Sequence, residues 1–257
     1  MRSLNTISIL WLRQLKRYFR SRARLIGSLG QPILFLFALG FGFGPIYAKA
    51  GGGNYLDIIA PGVIAMGILF TAVFSGIEVI WDRQFGFLKE TLVAPVSRLS
   101  IMIGRTLEGA TVAFIQGFIV FGITFFAGFR VTNLAMLPVA FVVMFLIALI
   151  FTALGTGIAS LLEDFQGFQL IMNFLVMPLF FLSGALFPLT DLPGPLGIIV
   201  RLDPLTYGVD ALRGALLGLN HWAMLTDMTI LVLLTGVLLV IGAALFARIE
   251  VKKLKRS

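Results

Sequence analysis

VTNLAMLPVAFVVMFLIALIFTALGTGIASLL, residues Val131–Leu162, runs for 32 residues without a charge. A helix needs about 20 mostly apolar residues to cross roughly 30 Å of hydrocarbon, so this run exceeds one crossing. Asn133 and Pro138 mark the approach to a helix, which is predicted over 137–161. Apolar and polar residues do not alternate strictly here, which argues against a barrel strand. Only helices and closed barrels satisfy their backbone polar groups in lipid.

Five more stretches share this property: Leu25–Ala48, Ile58–Ile77, Gly109–Phe129, Phe165–Thr190 and Met228–Ala247. The expected spans are about 27–46, 58–80, 106–128, 137–161, 168–187 and 225–247. Charged residues make up 12% of the chain, against about 25% in a soluble domain. The 257 residues read as one all-α integral membrane domain, a bundle of six transmembrane helices, with no room for a second sizeable domain. Seven basic residues with Trp11 and Tyr18 precede the first run, which itself has spanning length, so the N-terminus does not read as a cleavable signal.

The net charge of +8 points to orientation in a membrane and not to nucleic acid. Of 20 Lys and Arg, seven lie in 1–24, four in 81–105 and five in 248–257. Six spans put these segments on one side. Basic segments stay cytoplasmic, so both termini and the 81–105 loop are expected inside. Residues 1–24 read as an amphipathic interface helix, with Leu4, Ile7, Trp11, Leu15 and Tyr18 at helical spacing. There are no cysteines, and the lone His221 makes no metal site, so no metal and no catalytic residue is expected.

The loop after the second span is too polar to cross, yet carries Phe85, Phe87, Leu88, Leu92 and Val93. A short helix ending before Pro95 would present such groups to a partner. Arg105 and Glu108 share a helix face at spacing i, i+3. With Glu78 they lie in a shallow cytoplasmic zone, which favours a structural ion-pair cluster over a proton relay, because a relay should reach the midplane. Gly40 and Gly44 have the spacing of a helix-contact motif, and Pro178 is a kink candidate in the fifth span.

Residues 188–217 are expected to form external, re-entrant helices between spans five and six. Pro188, Pro193 and Pro195 shape a turn, and Asp203-Pro204 reads as N-cap and first helical residue. Leu205, Val209, Leu212 and Leu216 form an apolar stripe that would dip into the outer interface, while Asp210 and Arg213 can pair. No phosphate-loop pattern G-x-x-x-x-G-K-[ST] occurs, so this chain does not bind ATP in that way.

Two sets of motifs carry a family likeness. The first is Asp82-Arg-Gln-Phe-Gly-Phe-Leu-Lys-Glu-Thr-Leu-Val-Ala-Pro-Val-Ser-Arg98, followed by Ile103-Gly104-Arg105. The second is Ser183-Gly-Ala-Leu-Phe-Pro188, Leu192-Pro193, Asp203-Pro-Leu-Thr-Tyr207 and Asp210-Ala-Leu-Arg-Gly214. Over nearly its whole length the chain resembles type 2 ABC-exporter permeases, the group that includes daunorubicin-type drug exporters and nodulation-type lipo-oligosaccharide exporters. Asp203 is a departure, since relatives often have Asn there; both residues cap helices.

The resemblance implies a membrane permease, not an enzyme, that pairs with a second permease chain and two separate ATPase subunits. ATP and Mg would be held by those subunits. Segment 82–98 would be the coupling helix, with Phe87, Leu88, Glu90 and Leu92 in a groove of the ATPase and Arg83 and Arg98 on its polar rim. Spans two and five would line the exit path, for which Phe70, Phe74, Met177, Phe180 and Phe181 are the candidates. In the external helices the motif residues are Asp203, Pro204, Tyr207, Asp210 and Arg213. Cargo would be amphiphilic or lipid-linked, and the setting the plasma membrane of a bacterium or archaeon. Two other classes stay open: a membrane-embedded lipid-modifying enzyme, to which Glu78, Asp82, Arg105 and Glu108 come nearest, and an ion-coupled carrier or channel, against which stands the lack of midplane charge.

Overall fold

A computed structural model describes residues 11–12, 22–51, 54–85, 97–190 and 192–254. Everything described is helix or connecting turn. The long helices are α1 (Arg22–Lys49), α2 (Tyr55–Phe74), α4 (Arg98–Phe126), α5 (Leu137–Leu161), α6 (Phe165–Leu182) and α9 (Met224–Leu254), with shorter α3 (Ile77–Gln84), α7 (Gly194–Leu202) and α8 (Pro204–Leu217). Among the described residues six segments are long and apolar enough to cross a membrane: Gly27–Lys49, Tyr55–Gln84, Leu99–Phe126, Leu134–Leu161, Phe165–Leu182 and Met224–Leu245.

Helix α2 is the axis of the bundle. Asn54 caps it, accepting a bond from the Leu56 N–H. Fourteen of its 20 residues are buried, Ile59 through Leu69 without interruption. Helices α1, α4 and α5 surround it, and α9 packs mainly on α5. A helix buried on all sides needs no apolar stripe, and α2 has none in its sequence.

The second span is not one straight helix over 58–80. It breaks at Ser75–Gly76 and resumes as α3, reaching Gln84. The Ser75 hydroxyl donates to the Ala72 carbonyl at 2.6 Å, a side-chain bond of the kind that bends helices. Gly76 lies against the Gly155 carbonyl and Gly155 against the Val73 carbonyl, so α5 crosses this break with no room for a Cβ on either glycine. Gly109 of α4 lies equally close to Ser75 and Thr152.

Other boundaries also differ from the sequence reading. Helix α4 starts at Arg98, capped by Ser97, which places Arg105 and Glu108 well inside a helix. Helix α6 covers Phe165–Leu182, not 168–187: Asp164 caps its start, and its end leads to Gly184 at φ 73°. Gly40 meets Leu56 of α2 within the chain, while nothing lies near Gly44.

Helix α8 is more enclosed than a helix dipping into an interface. Eleven of its 14 residues are buried, including Asp210 and Arg213, and it packs on α5, α9 and α2. Gly208 makes room for Ile147 of α5. Gly218, left-handed at φ 74°, ends it. The Thr132 N–H then ties the loop after α4 to the Leu216 carbonyl at 3.0 Å.

Candidate functional site

At the end of the bundle where α3 meets α4, three carboxylates converge on one guanidinium. Arg105 forms an ion pair with Asp82 and lies in the fields of Glu108 and Glu78. Asp82 is 6% exposed, Arg105 4%, Glu108 3% and Glu78 4%, so the cluster is internal. The structure thus brings the expected trio of Glu78, Arg105 and Glu108 together and adds Asp82, which pairs with Arg105 across helices. The spacing i, i+3 pointed to Glu108 as the partner; the closer one sits 23 residues away.

Arg83 lies one residue beyond Asp82 and turns the other way. Its guanidinium donates to the Ser160 and Leu162 carbonyls, both at 2.7 Å. These belong to the C-terminal end of α5, where unbonded carbonyls attract a cation. Arg83 therefore ties the end of the second span to the end of the fourth. Phe87, Leu88, Glu90 and Leu92 lie outside the described residues. Arg98 begins α4, and its side chain lies outside them too.

Beside the cluster opens a cavity of about 390 Å³. Its walls come from α1, α2, α3 and α4, with Phe165 from α6. Phe70, Phe74, Phe165 and Trp81 make it aromatic; Ser28, Gln31, Thr71, Ser75 and Glu78 supply polar groups. The five expected path residues separate here. Phe70 and Phe74 line the cavity and stack on each other at 6.4 Å. Phe180 is fully buried, edge-on to Phe35 at 5.7 Å. Met177 and Phe181 are exposed on the outer face of α6, beside Leu170 and Phe174.

The opposite end carries the second motif set. Asp203 caps α8, accepting from the Leu205 N–H at 2.8 Å. The Tyr207 hydroxyl donates to the Arg201 carbonyl at 2.7 Å, and its ring lies 5.2 Å from that of Trp222. Asp210 and Arg213 do not form the expected pair. The Asp210 carboxylate accepts from the His221 and Trp222 N–H groups at 2.8–2.9 Å. Arg213 donates to the carbonyls of Gly184 at 2.9 Å and Ile58 at 3.3 Å. Each charge thus holds a loop backbone against α8. Burial pulls the Arg213 guanidinium below its usual value, and the charge of Asp210 opposes that.

Asp203 has a measurable consequence. Its Oδ2 has no hydrogen-bond partner among the described residues, and it borders an apolar groove with Phe174, Pro178 and Leu202. Burial raises its carboxyl from 3.8 to about 7, and the Leu205 N–H bond only partly opposes this. The folded chain then binds the proton more tightly than the unfolded one. This contribution to stability is full below about pH 4, is lost as pH rises toward 7, and is flat above that. Heat-denaturation midpoints in detergent should fall between pH 4.5 and pH 8. Asp203→Asn keeps a capping residue and should make that fall shallower; an equal slope in both proteins would refute the assignment.

The profile of the ABC-2 type transporter family matches residues 5–217. A protein of Cyanophora paradoxa named putative transport permease ycf38 is 33% identical over 196 residues, which cover 74% of this chain and 66% of that one, just under two thirds of its length. Nodulation protein J of Rhizobium leguminosarum bv. trifolii is 30% identical over 219 residues, 84% of this chain and 82% of that one. The protein of Pyropia yezoensis with the same name, putative transport permease ycf38, is 28% identical over 216 residues, 82% and 73% of the two chains.

Proposed function

Because the chain belongs to the ABC-2 type transporter family, whose non-catalytic membrane permeases work with ATPase subunits, we propose that it moves an amphiphilic or lipid-linked molecule out of the cytoplasm or inner leaflet. The observation that carries the cargo class is the aromatic cavity of about 390 Å³ beside the polar end of the bundle. An apolar enclosure with a few convergent polar groups suits a molecule with an apolar body and a polar head.

In this reading two copies of the chain pair, and each meets one ATPase subunit that holds ATP and Mg. The exposed face of α6, where Leu170 is 75% and Phe174 82% exposed, is available to a second copy or to lipid. The basic distribution supports a reading with both termini and the 82–98 segment in the cytoplasm, and the family resemblance supports a plasma membrane as the setting. Phe87, Leu88, Glu90 and Leu92 would seat in the ATPase, with Arg98 at its rim. Arg83, bonded to the end of α5, would brace that segment so that a push on it reaches the fourth span as well as the second.

Purification of the tagged chain from its host in mild detergent tests this. A stoichiometric partner with a phosphate loop and ATPase activity is the expected result. Leu88→Asp should lower cargo transport at least about tenfold, because burying a carboxylate in an apolar groove costs more than the 1.4 kcal/mol that a factor of ten represents. Its detergent stability should not change. A chain that purifies alone under conditions that hold known complexes together, or a Leu88→Asp variant with normal transport, would count decisively against the reading.

A further inference from the structure

We propose that the notch between α7 and the loop joining α8 to α9 binds the phosphate head of an anionic amphiphile, with Arg201, His221 and Trp222 as its donors. The notch lies at the end of the bundle away from the Arg105 cluster, and the inference stands whether or not the chain has an ATPase partner. Three donors line it, and no described carboxylate does. The Arg201 guanidinium makes no hydrogen bond or ion pair among the described residues, and neither do the ring N–H groups of His221 and Trp222. Asp203 and Asp210 accept backbone N–H bonds within the fold and stay out of the lining. Asp191 lies outside the described residues. A guanidinium fork matches the oxygens of a phosphate, and imidazole and indole each add an N–H.

The two walls are held in place before any ligand arrives. The Tyr207 hydroxyl donates to the Arg201 carbonyl at 2.7 Å, and its ring lies 5.2 Å from that of Trp222. One tyrosine thus fixes both sides of the notch, which lowers the ordering cost of binding. The volume is about 220 Å³, below the roughly 300–1,000 Å³ of sites that enclose a whole drug-sized molecule. A head group fits such a space and its chain stays outside. Leu189, Leu192 and Val200 make the rest of the lining apolar, and α7 exposes Ile198, Ile199 and Leu202 next to Arg201 in sequence. That apolar surface beside a free cation suits an amphiphile lying at a membrane interface, where tryptophan is also at home.

The test uses the full chain in nanodiscs. Trp11→Phe and Trp81→Phe leave Trp222 as the one tryptophan, so its quenching reports this notch. The probes are brominated phosphatidylglycerol against brominated phosphatidylcholine, and 12-bromododecyl phosphate against 12-bromododecanol. We expect saturable quenching in which an anionic probe is favoured about fivefold over its net-neutral counterpart, the effect of one basic residue near an anionic group. Arg201→Gln should remove that preference. Arg130→Gln removes a charge from the turn after α4, which Thr132 ties to the end of α8, and should leave the preference intact. Gly197→Leu gives an independent check: its added carbon meets nothing within 4 Å, and its side chain fills the notch and should weaken quenching by the anionic probe.

The two probe pairs separate two sources of the phosphate. Preference for phosphatidylglycerol marks a bilayer lipid as the occupant, and preference confined to dodecyl phosphate marks a molecule that arrives separately; either supports the site. No preference for either anionic probe, equal loss in Arg130→Gln and Arg201→Gln, or unchanged quenching in Gly197→Leu would overturn the proposal.

Discussion

Arg105→Gln should lower the heat-denaturation midpoint of the detergent-solubilised chain by about 10 °C, a shift that corresponds to roughly 3–5 kcal/mol. Arg105 is almost fully enclosed, and Asp82, Glu108 and Glu78 all lie in its field. Removing the guanidinium leaves those carboxylates in a low-dielectric site without it, and an uncompensated buried charge is costly. Asp82→Asn should destabilise as well, and the double variant should be less impaired than the sum of the single ones, which is the mark of a direct pair. Size-exclusion profiles after a temperature series give the midpoints. A proton relay would behave differently: transport would fall while the midpoint stayed. If Arg105→Gln were as stable as the parent, the cluster would not be the structural closure of this end of the bundle.

The six spans were legible because a charge-free run of spanning length seldom occurs outside a membrane helix. The caps were legible too: Asp203-Pro204 announces α8, and the structure has the cap bond. Cross-helix partners were harder. The cluster of Glu78, Arg105 and Glu108 could be named from depth alone, but Asp82 reads in sequence as part of a polar loop. It becomes internal only because α3 prolongs the second span to Gln84. For α8, an apolar stripe with Asp210 and Arg213 on the helix looked like a surface helix, since charges are seldom buried. Here each charge bonds backbone from elsewhere, Asp210 at His221 and Trp222 of a loop, and Arg213 at Gly184 of a loop and Ile58 in the first turn of α2. No local pattern announces such bonds. The path candidates divide for a related reason, Phe70 and Phe74 lining the cavity, Phe180 buried, and Met177 and Phe181 exposed. Aromatic residues on one apolar helix face the cavity, the core or lipid according to rotation, and an apolar helix of uniform character carries little record of its rotation.

The same limit hid the crossing at Gly155, and it leads to the second large effect. Twenty-eight glycines leave no way to choose among them by sequence. In the structure the Val73 carbonyl occupies the place that a Cβ on Gly155 would take, and the Gly155 carbonyl does the same to Gly76. Backbone cannot rotate aside as a side chain can, so a larger residue must push α5 away from α2 and α3. That shift would also draw the α5 carbonyls away from Arg83 and open the wall near Ser75. Gly155→Leu should cost more than about 3 kcal/mol and keep the folded chain from accumulating. Gly42→Leu is the matched control: nothing lies within 4 Å of its added carbon, and leucine is the better helix former. Yield and monodispersity of fluorescently tagged chains decide the matter. Loss in Gly155→Leu with a normal Gly42→Leu would mean that a backbone contact between α5 and the break in the second span holds the bundle in register. Equal accumulation of both would mean that the helices cross at a greater distance, and the bracing of α3 against α5 through Arg83 would lose its structural basis.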